Sequence, residues 1–540
     1  MSAPTTTLPI RGLGSLGVIT DADPYNLPIN AFTRGKNIRF SKGDISRSPA
    51  FRTVTSDQSF VPVHVAGLQA SSGYDTVVIV TDTFDVHEYA SNGGSMNQRH
   101  TGGLSSSTEP FTSTSLADVQ YINRSDHVPI HRGPSATSFT DLTNWPSSYR
   151  ATALRSYGDF LLALNTTESS TSYPNRVRWS NIALANSVPD SWDATDTTKS
   201  AGFNDLVQMA TPIIDGATLG SNFMIYSRDQ VWLMEFVGGA FIFNFRKIFD
   251  DCGVINQNCI QEVEGRHYVF DHDDIYVNDG VSRQSICDGR VRDYIFSGLD
   301  ASKSNRCFVH HNEDTEEVYF CYHSGDDLAL YTSGDACNRA AVYNYKEDNW
   351  SFLDLPNVIG GTHSNIDTVD TYATATTTYS NTGGSYHDQE SLYKRHNIFM
   401  TKTGGGVTED KLVALDPVDE GSINLPIDSA ITGPVFLERK GIDLDGELGL
   451  PLTGYKVIKR IVPQISTIST DKTFQFTFGA ANLVSDVPTY ASAQALDISA
   501  DYKVDSRVSG RYLSYKLEVP VNKDFTFGGM DFDVVATGRR

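Results

Sequence analysis

The sequence predicts an all-β protein: a degenerate β-propeller of about six blades, with an extended N-terminal arm and a C-terminal β-sandwich-like domain. Apolar runs are short, rich in Val, Ile, Phe and Tyr, and bounded by Gly, Asp, Asn and Ser. No long stretch has the 3.6-residue apolar period of a helix. Three segments also resemble one another, at a spacing of roughly 40–50 residues per unit that is typical of propeller blades.

The composition is that of a globular protein. Of the 540 residues, 39% are hydrophobic and 20% are charged, which excludes a disordered chain and a coiled coil. No run approaches ~18 consecutive apolar residues, so we expect no membrane span. The N-terminus, MSAPTTTLPIRGLGSLG, lacks a basic region followed by an apolar core, so we expect no secretory signal.

The chain is acidic, since 43 Lys and Arg residues stand against 65 Asp and Glu residues and give a formal charge of −22. Binding of DNA depends on basic side chains that neutralise phosphates, so we do not expect this chain to wrap nucleic acid. An acidic surface can instead repel DNA that passes it. The simpler interpretation is that the acidity serves solubility.

Residues 1–55 show little regular pattern and several turn signals, among them Asp23-Pro24 and Ser48-Pro49. They favour an extended arm that lies over another part of the molecule. Residues 56–415 carry the predicted propeller. Within it, residues 361–392 are polar and rich in Thr, Ser and Tyr, which indicates an insertion between strands.

The repeat consists of residues 77–89, 223–236 and 267–280. Each is a short strand, a polar turn that carries Asp, and a second strand with an aromatic or branched residue. The second and third copies start 44 residues apart (223 to 267), and the first and second start 146 apart (77 to 223), about three such units. The alternative is a stack of β-sandwiches with accidental similarity.

Residues 416–540 begin with a turn-rich linker and continue with recurring strand patterns, which predicts a separate β-sandwich-like domain. The predicted strands are Val435 to Glu438, Tyr455 to Val462, Phe474 to Phe478, Tyr512 to Glu518 and Phe532 to Val535.

The sequence contains none of the common catalytic motifs. There is no G-x-S-x-G elbow, no H-E-x-x-H pair and no G-x-x-x-x-G-K-[ST] phosphate loop. We therefore predict no enzyme, no catalytic residue and no cofactor. Gly12, Gly14 and Gly17 match G-x-G-x-x-G, but no strand precedes them, so they favour an arm over a dinucleotide site.

We predict no metal site. Asp271, Asp273, Asp274 and Asp279 lack the alternating ligands of a calcium loop, which favours turn carboxylates over a bound cation. The six cysteines lie between Cys252 and Cys337 with no CxxC pair. We interpret them as reduced core residues, with a zinc site as the alternative.

Residues 22–51, ADPYNLPINAFTRGKNIRFSKGDISRSPAF, resemble the start of virion structural proteins of short-tailed bacteriophages. The shared pattern is an acidic-Pro dipeptide, an Asn-[IV]-Arg-Phe strand, a turn with Gly, and Arg-x-Pro. The likeness continues in PNRVRWSN (174–181), VYNYKEDNWSF (342–352) and SGRYLSYKLEV (509–519). It covers nearly the whole chain in scattered motifs, except the Thr-rich insertion.

The resemblance is to the tail nozzle family, also called tail tubular protein B. It implies a propeller with added β domains, of which six copies form a ring below the adaptor (head-to-tail connector) of the portal. It further implies that double-stranded DNA leaves through the ring without specific binding. Tail fibre or tail plug (needle) proteins are implied as partners, and the virion tail, assembled in the host cytoplasm, as the location.

We expect Arg34, Lys36, Arg39 and Arg47 to be assembly contacts that dock onto an acidic neighbour. The alternative is that these side chains only solvate the arm. The competing function is a receptor-binding or glycan-processing β-propeller protein at the tail tip.

Overall fold

The computed structural model describes residues 5–69, 75–89, 96–107, 109–239, 241–364, 395–416, 427–449, 454–521 and 523–538. This part of the chain folds into eight antiparallel sheets. It also contains the seven-residue helix α1 (Arg292–Gly298) and a 3₁₀ helix (Ala301–Arg306). The all-β prediction is confirmed. No helix among the described residues is long and apolar enough to cross a membrane.

The N-terminal segment forms five short strands. They are β1 (Thr6–Arg11), β2 (Arg34–Lys36), β3 (Ile38–Ser41), β4 (Asp44–Arg47) and β5 (Ala50–Thr53). Four of them, β1, β2, β4 and β5, pair with strands that follow residue 411, and β3 pairs with β4, so the predicted arm is bound to the rest of the protein along its length.

Five blades follow, each an antiparallel sheet of four consecutive strands. Blade 1 contains β6 (Pro62–Gln69), β7 (Asp75–Thr81), β8 (Val86–Tyr89) and β9 (Met96–His100). Blade 2 contains β10 (Phe111–Leu116), β11 (Val119–Arg124), β12 (Ile130–Arg132) and β13 (Thr140–Asp141). Blade 3 contains β14 (Tyr149–Tyr157), β15 (Phe160–Glu168), β16 (Thr171–Trp179) and β17 (Gly202–Asp205).

Blade 4 contains β18 (Ile213–Leu219), β19 (Asn222–Ser227), β20 (Gln230–Phe236) and β21 (Phe243–Asp250). Blade 5 contains β22 (Ile260–Val263), β23 (Arg266–Phe270), β24 (Ile275–Asn278) and β25 (Arg283–Ser285).

Blades 6 and 7 share one long strand. Blade 6 contains β26 (Phe308–Asn312), β27 (Glu317–Tyr322), β28 (Cys337–Asn344) and the first part of β29 (Asn349–Ser364). Blade 7 contains the second part of β29, then β30 (His396–Thr401), β31 (Leu412–Asp416) and, from the N-terminal segment, β5.

The first strand of each blade faces the centre, and neighbours touch in the order β6, β10, β14, β18, β22, β26, β29 and back to β6. The described residues thus form a closed propeller of seven blades, where the sequence predicts about six. The additional blade has no repeat of its own in the sequence, because it is assembled from a shared strand, a distant hairpin and β5.

The predicted repeat is confirmed. Residues 77–89, 223–236 and 267–280 cover the second and third strands of blades 1, 4 and 5 respectively. The spacing of 44 residues therefore separates adjacent blades, and the spacing of 146 separates blades three apart. The polar turns with Asp are the hairpin turns inside each blade.

A two-sheet unit, the sandwich, completes the fold. Its C-terminal strands are β32 (Val435–Ile442), β33 (Tyr455–Ser466), β34 (Thr473–Ala481), β35 (Thr489–Tyr490), β36 (Gln494–Asp497), β37 (Val504–Asp505), β38 (Ser509–Gly510), β39 (Tyr512–Val519) and β40 (Thr526–Gly538). One sheet joins β1, β3 and β4 to β40, β33, β37 and β38; the other joins β2 to β32, β39, β34, β35 and β36.

The two sheets of the sandwich face each other through aromatic side chains. The ring centroids of Phe474 and Phe525 lie 6.1 Å apart, and those of Phe476 and Phe527 lie 6.4 Å apart. Edge-to-face contacts of this kind add to the burial of apolar area that drives such packing. The five strands predicted after residue 434 all appear in these two sheets.

The structure also bears on the interpretation of the cysteines, of the carboxylates between residues 271 and 279, and of the polar insertion. All six cysteines are buried and none forms a disulfide. Asp271 and Asp279 accept hydrogen bonds from backbone N–H groups of their own turns or of a neighbouring loop. The polar insertion, residues 361–392, lies outside the described residues from residue 365 onward, and its first four residues belong to β29.

Candidate functional site

The four basic residues predicted as assembly contacts lie where the N-terminal strands meet blade 6 and the sandwich. Lys36 is the most buried: its Nζ lies 2.9 Å from an Asp354 carboxylate oxygen and donates to the Leu328 carbonyl at 2.8 Å. The side chains of Lys36 and Asp354 are 8% and 0% exposed. This ion pair therefore joins β2 to β29 inside the molecule.

Arg39 and Arg34 also bind groups of blade 6. The Arg39 guanidinium donates to a Glu317 carboxylate oxygen at 2.9 Å and to the Thr315 carbonyl at 2.8 Å. Burial raises the pKa of Glu317, although the charge of Arg39 opposes that rise. Arg34 pairs with Asp327 near the surface; burial alone would lower the pKa of Arg34, but this hydrogen bond and the Asp327 charge raise it.

Arg47 lies inside the sandwich and donates to the Gly433 carbonyl at 2.9 Å. Burial lowers its pKa to about 10. The structure thus brings three of the four predicted residues together along the line between the sandwich and blade 6, here called the seam, and engages all four within the chain. Reversing their charges would break these contacts, so the docking role stays a prediction that such variants cannot test cleanly.

At two glycines the backbone of the N-terminal segment packs directly against other backbone. A Cβ at Gly14 would lie 2.1 Å from the Asp44 carbonyl oxygen. Gly17 has φ +72° and its Cβ would lie 2.7 Å from the Trp350 carbonyl oxygen. Two glycines of the G-x-G-x-x-G pattern are therefore positions where the chain packs against itself, which is a structural reason for glycine there.

The propeller centre is a second candidate. The seven innermost strands enclose a cavity of about 390 Å³. Arg155 of blade 3 forms a two-pronged pair with Asp215 of blade 4, at 2.8 and 2.6 Å, and its Nη2 donates to the Asn258 side-chain oxygen at 3.0 Å. Because Asp215 already neutralises Arg155, the cavity offers no free cation to an anion among the described residues that line it.

His64 of blade 1 and Ser113 of blade 2 meet in the same cavity, with Nε2 and Oγ 3.2 Å apart. Burial, and to a smaller extent the charge of Arg155, lowers the pKa of His64 to about 4. A base with so low a pKa is a poor proton acceptor at neutral pH. The contact joins blade 1 to blade 2.

Sequence reasoning did not single out Arg155, Asp215 or Asn258. They come from three blades and share no spacing that a motif could capture. Among the described residues, no group of three or more His, Cys, Asp or Glu side chains is arranged to hold a metal ion.

Comparison with known proteins gives no family. The sequence matches no known protein family and no curated protein. PorZ, a surface component of the type-IX secretion system of Porphyromonas gingivalis, aligns at 9% identity and a TM-score of 0.37, over 72% of this chain and 43% of PorZ. The AfRom2 CNH domain aligns at 7% identity and a TM-score of 0.35, over 68% of this chain and 99% of that domain.

The chain thus spans less than half the length of PorZ. At TM-scores below 0.5 neither likeness carries an argument about function, and the propeller assignment rests on the strand pairing described above.

Proposed function

We propose that this chain is a structural subunit of a short-tailed bacteriophage tail, and that it performs no catalytic turnover. In this proposal six copies form the nozzle ring below the adaptor, and the genome leaves through the ring. The proposal rests first on the sequence resemblance in residues 22–51, 174–181, 342–352 and 509–519.

The observation that carries the proposal is where those resembling residues lie. Asn37 has φ 58°, and its side chain donates to Asp354 and to the Pro434 carbonyl, both at 2.8 Å. Trp350, in the hairpin at 342–352, is 1% exposed and donates to the Ile286 carbonyl at 3.0 Å. The resembling residues thus hold blade 6, blade 5 and the sandwich together, which is the role expected of scaffold residues.

The path of DNA in the proposed ring would lie between copies. A cavity of about 390 Å³ is in the size range of sites for single small molecules, ~300–1,000 Å³, so a duplex cannot pass through one propeller. An assembly of chains with charge −22 each would present repulsion to phosphates and release no counterions. That suits passage without retention.

Exposed apolar side chains offer surfaces for contacts between copies. Val207, Phe241 and Val281 are 86%, 81% and 84% exposed. They lie beside the outer strands of blades 3, 4 and 5 respectively. In the proposed ring these three side chains are the positions at which contacts between copies are tested.

The test is the native mass of the purified chain, alone and with its candidate adaptor ring. A species of about six times the 59.3 kDa chain mass, in either condition, supports the proposal. The double variant Val207→Asp/Phe241→Asp should lower assembly, whereas Ser135→Asp, which adds a charge at an exposed polar position of blade 2, should not. A monomer in both conditions would contradict the nozzle.

The second candidate is a receptor-binding protein at the tail tip. One observation favours it: a polar cleft lined by tyrosines between blades 5 and 6. Binding of surface polysaccharide by a chain that stays monomeric would support this candidate over the nozzle.

A further inference from the structure

We propose that the cleft between blades 5 and 6 binds an uncharged saccharide. The cleft has a volume of about 410 Å³, within the range of small-molecule sites, ~300–1,000 Å³. Its floor is blade 5, and its wall is the hairpin between β28 and β29. This inference goes beyond the assembly role and does not depend on it.

The strand register places the floor residues on one face. Tyr268 of β23 pairs with Val277 of β24, and Val277 pairs with Gln284 of β25. Residues opposite each other in a sheet, and residues two apart on one strand, share a face. Arg266, Tyr268, Val277 and Gln284 therefore form one surface, and all four line the cleft.

The wall is rigid and already hydrogen-bonded. The Arg290 guanidinium donates two hydrogen bonds of 2.8 Å to the Asp348 carboxylate. The Tyr343 hydroxyl donates to the same carboxylate at 2.8 Å. Tyr268 packs against this wall, with its ring centroid 6.3 Å from that of Tyr343 and 6.2 Å from that of Tyr345. A preorganised wall of this kind lowers the entropy that a ligand would otherwise lose on binding.

The floor, in contrast, carries polar side chains that make no hydrogen bond to other described residues. Among the described residues, the side chains of Arg266, Tyr268 and Gln284 have no hydrogen-bond partner, although each lines the cleft. Arg266 and Gln284 are exposed. Burial raises the pKa of Tyr268, which keeps its hydroxyl a donor at neutral pH. These three neighbouring polar groups are therefore available to a ligand with several donors and acceptors.

A saccharide fits both the aromatic side chains and the polar groups that line the cleft. The C–H face of a pyranose packs on an aromatic ring, and its hydroxyls both donate to and accept from guanidinium, amide and phenol groups. Tyr345 is the half-buried ring of the three. The Lys346 ammonium lies 5.4 Å from its centroid and the His311 ring centroid 5.6 Å from it, so a sugar would stack on the part of the ring that lines the cleft.

Charge favours an uncharged ligand. The cleft is lined by two cations, Arg266 and Arg290, and by two carboxylates, Asp288 and Asp348, so the formal charge of these lining residues is zero. Since the whole chain carries −22, a polyanionic glycan would be repelled on approach.

The experiment is ligand-detected saturation-transfer NMR on the full chain with maltohexaose, chitohexaose and mannohexaose, and with a hyaluronan hexasaccharide as the charged probe. We expect transfer to at least one uncharged oligosaccharide, and loss of at least ten-fold in affinity in Tyr345→Ala and in Gln284→Ala. Tyr502→Ala removes a 66% exposed tyrosine from the sandwich and should leave binding unchanged.

Far-ultraviolet dichroism and the thermal midpoint of each variant separate lost binding from lost folding. Both substituted cleft residues contact solvent, so the variants should stay folded. Three results would overturn the proposal: no transfer to any uncharged probe, transfer to hyaluronan only, or binding that survives both cleft substitutions.

Discussion

The Lys36 ammonium and the Asp354 carboxylate form a 2.9 Å ion pair in which both side chains are almost fully buried. Asp354 also accepts a hydrogen bond of 2.8 Å from the Asn37 side chain. One carboxylate on the strand shared by blades 6 and 7 thus binds two consecutive residues of the N-terminal segment. The seam is therefore held by an ion pair as well as by backbone hydrogen bonds, such as that from the Asn37 N–H to the Phe352 carbonyl at 2.7 Å.

Lys36→Met should destabilise the protein by about 3 kcal/mol, because removal of one partner leaves a buried, uncompensated carboxylate. The matched control is Arg34→Met, two residues earlier on β2. Its partner Asp327 is 75% exposed, so the loss should be at most about 1 kcal/mol. Urea unfolding followed by tryptophan fluorescence measures both. Equal losses for the two variants would contradict the buried role of Lys36.

Acid should destabilise the protein through its buried histidines. Burial lowers the pKa of both His64 and His267 from 6.5 to about 4. Between those values the unfolded chain binds protons that the folded chain does not, so stability is complete above pH 6.5 and falls as the pH drops toward 4. Each histidine accounts for about 3 kcal/mol over that window.

His267→Gln isolates one of these contributions. Its ring bonds the Tyr226 hydroxyl at 2.8 Å and the Thr218 carbonyl at 2.9 Å, groups that an uncharged amide can also satisfy. The variant's stability should fall less steeply between pH 6.5 and 4, by about 1.4 kcal/mol per pH unit. His100→Gln, at a partly exposed position, is the control. Parallel pH profiles for wild type and His267→Gln would refute the assignment.

The local sequence pattern predicts hairpins between consecutive strands. It does not predict pairing between strands that are far apart in the sequence. Within residues 341–352, the polar run Lys346-Glu347-Asp348-Asn349 between apolar runs predicts a hairpin. That hairpin forms, with Asn344 opposite Asn349. By contrast, β5 pairs Phe51 with Leu415, and β1 pairs Thr6 with Val534. Such pairing uses backbone N–H and C=O groups, which every residue carries, so no side-chain signature marks it.

The contact residues and the cleft likewise depend on residues that are far apart in the sequence. Arg39 looks like a free surface cation in the sequence, because its partner Glu317 lies 278 residues away. For the cleft, half of the information is local: alternation along β23 places Arg266 and Tyr268 on one face. The wall residue Tyr343 comes from the next blade, so only the packing of blade 6 against blade 5 brings the two halves together.

Gly14→Ala should loosen the N-terminal segment. The new Cβ would lie 2.1 Å from the Asp44 carbonyl oxygen, so backbone must move, at a cost of about 1–3 kcal/mol. Trypsin should cleave after Arg11 faster than in the wild type, and the thermal midpoint should fall. At Gly133 a Cβ would meet nothing within 4 Å, so Gly133→Ala should change stability by less than about 0.5 kcal/mol. Unchanged cleavage in Gly14→Ala would contradict this packing.

The Arg155–Asp215 pair should be coupled across the propeller centre. Its two-pronged geometry, at 2.8 and 2.6 Å, joins blade 3 to blade 4, and Asp215 also accepts from the Asn258 backbone at 3.0 Å. Either Arg155→Met or Asp215→Asn should cost about 3–5 kcal/mol, since each leaves a buried partner unpaired.

The double variant decides whether the cost belongs to the pair. If it does, Arg155→Met with Asp215→Asn should lose at least about 1 kcal/mol less than the sum of the single losses, because the second substitution removes a charge already left unpaired. The Arg228–Asp229 pair, at 4.0 Å with both side chains more than half exposed, supplies the control, and Arg228→Met should cost at most about 1 kcal/mol. Strictly additive losses at Arg155 and Asp215 would mean that each residue stabilises its own blade and that this pair does not couple blade 3 to blade 4.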